Sequence, residues 1–492
     1  MRVIVPLQGV VQGRGGLILG SILPCTLLFL LQLYLKRNRR PPSDPTPPSP
    51  DSHFNQSTSA LGPVQVSLRA ESIANPTPSA YYLGWSKYLE DPYHKLTNPS
   101  GIIQLGLAEN RLSFVLIEKW MNDNLEGVML NGDSKIDDMF LYQPSDGMLA
   151  MKKAMANFMP RVMRTTTPFN PSHLVLTSGA TAAIEIISFC LADQGNGLLV
   201  PTPYYPGFDR DVIWRIGVEL IPVHCQSCDN FSPSIDSLEQ AFKKAMRHGI
   251  KVRGVLISNP SNPVGNILSR DFLNSLLGFA KEKNIHIISD EIYAGSVYGD
   301  DEFVSMAEIS GSTSNGTDKQ RIHIIYGVSK DLSLPGFRIG VVHSFNETVL
   351  TTAKRLARFT TVSSPTQRIM LAMLSDSSFI KEYMKTNNER LKKMHHLVVS
   401  GLTELGIECA KSVAGFYCWV NMRQLMESYN ENGELVLWDK LLNVAKINIT
   451  PGSSCHCIEP GWFRLCFANM DEDDIPVIMD RIQNVVNMSC NE

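Results

Sequence analysis

The stretch YGVSKDLSLPGFRIG, Tyr326 to Gly340, sets Lys330 just after an apolar run and Arg338 eight residues further on, with Pro335 and Gly336 between. A lysine amine at the mouth of a strand can form an imine with an aldehyde if it is partly desolvated and so less often protonated. An arginine a short turn away can grip a phosphate dianion with its planar fork. Aldehyde and phosphate on one small molecule describe pyridoxal 5'-phosphate (PLP). That cofactor asks of a protein a Schiff-base lysine and a carboxylate facing its pyridinium nitrogen. A solvated surface lysine is the ordinary alternative, and the neighbouring segments decide between the two.

In NIHIISDEIYAG, Ile285–Ser289 reads as a short buried strand ending at Asp290, where open α/β sheets place ligand groups. A carboxylate there keeps a pyridine nitrogen protonated, and Tyr293 could donate to the phenolic oxygen of the ring. An Asp that merely opens a turn is the plainer reading. In GVLISNPSNPVG, Val255–Ser258 reads as a strand closed by an Asn-Pro turn, with Asn262 as a second donor to the phenolic oxygen. HLVLTSGATAAIE reads as a strand, a turn at Gly179 and a helix start at Ala180 and Thr181, whose free N–H groups suit a phosphate. Tyr205 in PTPYYPGF offers a ring for stacking on the pyridine. Arg464, within the apolar run WFRLCFAN, would be costly if left unpaired. A substrate carboxylate or a structural salt bridge would satisfy it. Each clue has a bland explanation, but one cofactor accounts for all of them in strand-loop order.

With these residues in view the chain resembles fold-type I, class I PLP enzymes of the aminotransferase superfamily. More closely it is similar to plant 1-aminocyclopropane-1-carboxylate (ACC) synthases and their membrane-tethered aminotransferase-like relatives. The shared passages are NPSGIIQLGLAENRL, PTPYYPGFDRD, NPSNPVG, SDEIYAG, SKDLSLPGFRIG and PGSSCHCIEPGWFRLCFAN, which together span Tyr81 to the C-terminus. The resemblance implies that Lys330 carries PLP, Asp290 faces the ring nitrogen, Tyr293 and Asn262 meet the phenolate, and Tyr205 stacks on the ring. Arg338, Ala180 and Thr181 would then hold the phosphate, and Arg464 with Glu109 the substrate. It further implies a homodimer with composite active sites acting on amino acids and 2-oxo acids.

Departures from the ACC synthase pattern separate two reactions. Those enzymes carry a Tyr-His-Gly sequence whose tyrosine reaches the neighbouring active site, and Ser145 stands at that position here. Tyr142, five residues before Gly147, instead keeps the Tyr-x-Pro-x-x-Gly spacing of the cross-dimer phosphate ligand in ordinary class I aminotransferases. Gly327 replaces the phosphate-binding serine usual three residues before the lysine, which implies somewhat weaker phosphate affinity. Glu109, in contrast, matches the ACC synthases. Ring closure on S-adenosylmethionine depends on strict substrate geometry, whereas transamination needs a general base at the lysine. On this balance the expected activity is transamination. An ACC synthase and a catalytically weak, dimerising homologue are the alternatives.

Those residues need a scaffold, and the 492-residue length allows more than one domain. Predicted strands at Leu174–Leu176, Leu198–Val200, Val255–Ser258, Ile285–Ser289, Ile322–Tyr326 and Ile339–Val342 alternate with helical patterns such as Ala150–Met159 and Asp271–Lys283. The expectation is an α/β fold with a mostly parallel sheet, helices on both faces and a smaller α+β domain. The expected division is a large domain at about 135–365 and a small one at about 79–134 plus 366–492. Ser310–Gln320 reads as a mobile surface loop.

Gly15–Leu35 holds no charged residue and is long enough to cross a bilayer as a helix, and Lys36, Arg37, Arg39 and Arg40 follow it. The charge asymmetry predicts residues 1–40 to be a single-pass anchor with the body on the cytoplasmic side. A cleaved signal peptide is the rival reading. Residues 41–78, rich in Pro and Ser, are expected to be a disordered spacer before a catalytic body at 79–492. A net charge of −3 without a basic field argues against nucleic acid as a partner. The cysteines read as reduced thiols. Cys225-x-x-Cys228 and Cys455-His456-Cys457 lack a second pair at zinc-finger spacing, so no metal is expected.

Overall fold

Runs of Val, Ile and Leu too short for helices dominate the middle of the chain, and they fold as strands of one seven-stranded sheet. In a computed structural model the described residues are 65–492, apart from 131–136, 313–315 and 490–492. The strands are β1 (Leu174–Ser178), β2 (Gly197–Thr202), β3 (Glu219–His224), β4 (Val252–Ser258), β5 (His286–Asp290), β6 (Ile322–Gly327) and β7 (Ile339–Ser344). Their spatial order is β1-β7-β6-β5-β4-β2-β3. β7 runs antiparallel to both its neighbours, and every other pairing is parallel. Six of these strands were expected from sequence. β3, whose alternation carries exposed Glu219, Pro222 and His224, was not.

Alternation along each strand divides the core in two. Val255 and Ile257 join Leu174, Leu176, Ile287 and Ile324 on one face, while Leu256 joins Val175, Leu198, Ile288 and Ile325 on the other. Helix Ala180–Leu191 covers the second face with Ala183, Ile184 and Ile187. The first face is covered in part by helices Leu149–Val162, Arg270–Lys283 and Ser364–Ser375. It also takes up Ile117 and Trp120 from helix Phe114–Leu130, outside the 135–365 stretch. Burial on both faces is what a parallel sheet requires, and truncating one such leucine to alanine costs about 2–5 kcal/mol.

A second, four-stranded antiparallel sheet has the order β10-β11-β9-β8, from β8 (Glu408–Cys409), β9 (Tyr417–Asn421), β10 (Thr450–Pro451) and β11 (Trp462–Cys466). Ile103–Gln104 pairs in parallel with Ile447–Asn448, which ties an early segment to this C-terminal part. The 28-residue helix Ser377–Glu404 leads into it.

Two expectations are corrected. Residues 68–74, assigned to the disordered spacer, form an exposed helix because Ser67 accepts a hydrogen bond from the Ala70 N–H at its start. Ser310–Gln320, read as a loop from its polar composition, overlaps helices Met306–Ser312 and Gly316–Lys319. The Ser310 hydroxyl is buried and bonds Ala307 O, and the buried Asp318 pairs with Lys281 at 3.4 Å. Among the described residues no helix is long and apolar enough to cross a membrane. The expected anchor at Gly15–Leu35 and most of the spacer lie outside the described residues.

Candidate active site

The carboxyl ends of β4, β5 and β6 and the start of helix Ala180–Leu191 open onto a cavity of about 270 Å³. Lys330, Asp290, Tyr293, Asn262, Tyr205, Ala180, Thr181 and Arg338 all line it. Eight residues chosen along 159 positions of sequence therefore meet at one place.

Lys330 sits in the one-turn helix Val328–Asp331 directly after β6, and its amine donates to Ala108 O at 2.5 Å. Burial, helped by the Arg464 guanidinium, pushes the amine down to about 8. A larger share of neutral, nucleophilic amine is present near neutrality than on a solvated lysine. The next residue fixes this turn to the other half of the site. The Asp331 carboxylate accepts from the Gly295 N–H at 2.7 Å, the Ser296 hydroxyl at 2.7 Å and the Tyr326 hydroxyl at 2.9 Å. Gly295 and Ser296 end the loop that begins at Asp290, so lysine and carboxylate are held by one buried network.

Asp290 ends β5 and is 7% exposed. Its burial raises the carboxyl to about 7, opposed by the Ile292 N–H and by Lys330. A cation beside it would offset that cost. The Tyr293 hydroxyl is buried and lacks a well-formed hydrogen bond, its ring packed edge-on against Phe416 and Tyr417.

The side of the cavity at the start of helix Ala180–Leu191 is built on glycine. Gly179 has φ +85°, and a Cβ there would sit 2.4 Å from Arg338 Nη2, so only glycine lets the guanidinium cross the helix start. Arg338 donates to Ser178 O at 3.3 Å and Pro335 O at 3.0 Å. Thr181 and Arg338 are both exposed in the single chain. Gly327, the departure three residues before the lysine, has a reason in the pairing of β6 with β7: a Cβ would approach Ile339 O to 2.9 Å.

Arg464 is fully buried in β11. It donates to Asn262 Oδ1 at 2.8 Å and Gly106 O at 2.6 Å, with a longer contact to Thr450 Oγ1 at 3.4 Å. Its Nε has no partner, and no ion pair forms to it among the described residues. A guanidinium can only donate, so this contact turns the Asn262 carbonyl toward Arg464 and leaves its NH2 free for another acceptor. Tyr81 lies over the guanidinium at 5.6 Å. This ring also lines the cavity and belongs to helix Ala80–Glu90.

Besides Arg464, which is buried behind the cavity wall, two expected site residues do not line the cavity. Glu109 pairs with Arg111 at 3.0 Å and does not line the cavity, although its charge raises the Lys330 pKa. Tyr142 is fully exposed and reaches nothing in its own site. Sequence reasoning missed Tyr81, Asp331 and Asp211. Asp211 lines the cavity with a buried, unpartnered Oδ2, and burial together with Asp290 raises its carboxyl to about 7. Its signal was its place in PTPYYPGFDRD, six residues past Tyr205. Of the metal candidates set aside earlier, His456 bonds Asp209 at 2.8 Å, and Cys455 is buried.

The residues present fit PLP. The Tyr293 hydroxyl and the Asn262 NH2 are donors awaiting an acceptor, Asp290 awaits a cation, and Ala180, Thr181 and Arg338 gather donors at one end of the cavity. Lys330 would hold the cofactor covalently, and the bound ring supplies an electron sink for the substrate carbanion.

A sequence model of the family Aminotransferase class I and II matches residues 102–482. The chain is 56% identical to probable aminotransferase ACS12 of Arabidopsis thaliana, over 99% of both proteins. It is 54% identical to 1-aminocyclopropane-1-carboxylate synthase 6 of rice, over 99% of this chain and 93% of that one. An aspartate aminotransferase of Thermus thermophilus shares its fold, with a TM-score of 0.70 at 19% identity, over 86% of this chain and 100% of the other. By the family match and by these relatives, the chain belongs to the class I and II aminotransferases, enzymes that depend on PLP.

Proposed function

We propose that this enzyme transfers amino groups between amino acids and 2-oxo acids, with Lys330 as the covalent anchor and general base. The observation that carries the reading is Arg464, a buried guanidinium without a carboxylate partner beside the Lys330–Asp290 cavity. An α-carboxylate would supply the missing counter-charge. With an amino acid seated there, the Lys330 amine, shifted by burial toward neutrality, would serve as the base that moves the proton of the substrate α-carbon. Tyr293 and Asn262 would hold the phenolic oxygen of the cofactor, and Asp290 would keep its ring nitrogen protonated. The ring of Tyr81 narrows the way in for water.

The ACC synthase reading is supported by the rice relative, whose name states that activity, and transamination by the Ser145 and Tyr142 pattern. Purified full-length enzyme should be offered a panel of amino donors with 2-oxo acid acceptors and, separately, S-adenosylmethionine. Keto acid from at least one donor is expected. ACC release with no keto acid from any donor would reject transamination.

The active unit is proposed to be a homodimer with composite sites. The exposure of Tyr142, Thr181 and Arg338 in the single chain supports this, since a second copy would cover them. Residues 1–40 are proposed as a membrane anchor with the body in the cytoplasm, on the apolar run Gly15–Leu35 and the basic cluster after it. Protease added to sealed, right-side-out microsomes should digest the body. A protected, glycosylated body would reverse the topology.

A further inference from the structure

We infer a second binding site, for a small organic acid with an apolar body, in a cavity of about 430 Å³ between helices Leu149–Val162 and Ser377–Glu404. The volume is in the range of small-molecule sites. Its floor is apolar: Phe158, Val162 and Ile380 are buried there, with Met384 beside them. Its rim carries Arg161, Arg164, Lys381 and Lys385, and no carboxylate lines it. In a chain with more acidic than basic residues, four cations around one opening are a marked local excess.

These cations are not consumed by neighbours. Arg161 donates to Ser377 Oγ at 3.2 Å, and Lys385 stands 3.9 Å from Glu389. Arg164 and Lys381 make no ion pair or side-chain hydrogen bond among the described residues. Arg164 is moreover held at φ +49°, in the left-handed region, a conformation that costs an arginine free energy and needs surrounding structure to persist. At the cavity wall the Asn388 Oδ1 is buried without a partner. Its amide can present either end to a polar head. A bare anion would leave the apolar floor wet, and a neutral apolar molecule would leave the rim unmatched. A molecule with both parts satisfies both.

The site is mechanically close to the catalytic loop. A Cβ on Gly295 would meet Met384 Cε at 2.6 Å, Val162 Cγ1 at 2.7 Å and Asp331 Cγ at 2.9 Å. The cavity floor thus lies close against the backbone whose N–H bonds Asp331, next to Lys330. An occupant would tighten that contact and favour one setting of the Asp290–Ser296 loop.

The test uses full-length enzyme in lipid nanodiscs and 4-(4-fluorophenyl)butyrate as the probe, with binding followed by fluorine NMR and calorimetry. Saturable binding is expected, weakened at least tenfold in Arg164→Gln/Lys381→Gln and unchanged in Arg464→Lys. The matching alcohol should bind at least tenfold more weakly than the acid. All four substituted side chains of this pair and of a second pair, Arg161→Gln/Lys385→Gln, are exposed, so either pair serves if the other melts early. Wild-type binding in both pairs, equal binding of the alcohol, or loss of binding only in Arg464→Lys would overturn the proposal. The last outcome would place the probe in the first cavity. None of these readings depends on which reaction the enzyme catalyses.

Discussion

Replacing Arg464 by lysine keeps the charge but removes the fork. In the structure the guanidinium spends donors on Asn262, Gly106 and, weakly, Thr450, and its Nε–H has no partner. A carboxylate bound by two charge-assisted hydrogen bonds to arginine would retain one with lysine. The loss of one such bond, about 1.5–3 kcal/mol, corresponds to roughly 10- to 150-fold. The expected result is a rise of that size in the KM for the amino donor and for the 2-oxo acid alike, because both carry the carboxylate. Uniform loss of ground-state and transition-state binding should leave kcat changed far less. Initial rates of keto acid formation give both constants, and visible absorption reports cofactor content in the same samples. A KM within threefold of wild type at equal cofactor content would refute the assignment. Arg464 would then be a structural donor to Gly106 and Asn262 alone.

Borohydride should fix the cofactor to the peptide that contains Lys330, and Lys330→Ala should abolish the label; recovery on another lysine would end the assignment. Tyr142→Phe should loosen PLP by about 10- to 100-fold, the value of one hydrogen bond to a charged group, as read by cofactor titration of the dimer. A silent Tyr142→Phe, with ACC formation gained by Ser145→Tyr, would show that position 145 holds the functional role. His343, 2% exposed with neither ring nitrogen bonded, is pushed by burial from 6.5 down to about 3. The unfolded chain binds the proton first, so the stability that this neutral ring contributes is complete above pH 6.5 and is lost as pH falls toward 3. Urea unfolding at pH 4 should therefore show wild type losing about 3 kcal/mol relative to His343→Phe, compared with the same difference at pH 7. A pH-independent difference would refute this.

The sheet and most of the residues that line the cavity at its carboxyl edge were legible because each is a local event. A run such as Val255–Ser258 declares a strand by composition, and the residue at its end inherits a position at the sheet's carboxyl edge. Asp290 and Gly179 stand at or just past such strand ends and Lys330 three residues beyond one, and their joint fit to one cofactor singled them out. What sequence could not show are the meetings between distant segments. Glu109 matches a family pattern, yet Arg111, two residues away, claims its carboxylate. Tyr81 precedes the first strand of the large sheet by more than 90 positions and still lies over Arg464. The helices at 306–319 were hidden because Ser, Gly and Thr read as loop wherever their partners, here Ala307 and Lys281, are not in view.

The bond from Arg464 to Gly106 spans 358 residues. During synthesis Gly106 leaves the ribosome long before its partner exists, by about 20 to 70 s at roughly 5–20 residues per second. For that interval the segment Gly106–Asn110, which later receives the Lys330 amine through Ala108 O, has no binding partner on the C-terminal side. The large sheet can close earlier, once β7 is made, but the wall that joins Lys330 to Arg464 is among the last parts to form. An arrested chain released shortly before residue 464 should thus hold a nearly finished sheet and an open, substrate-blind cavity.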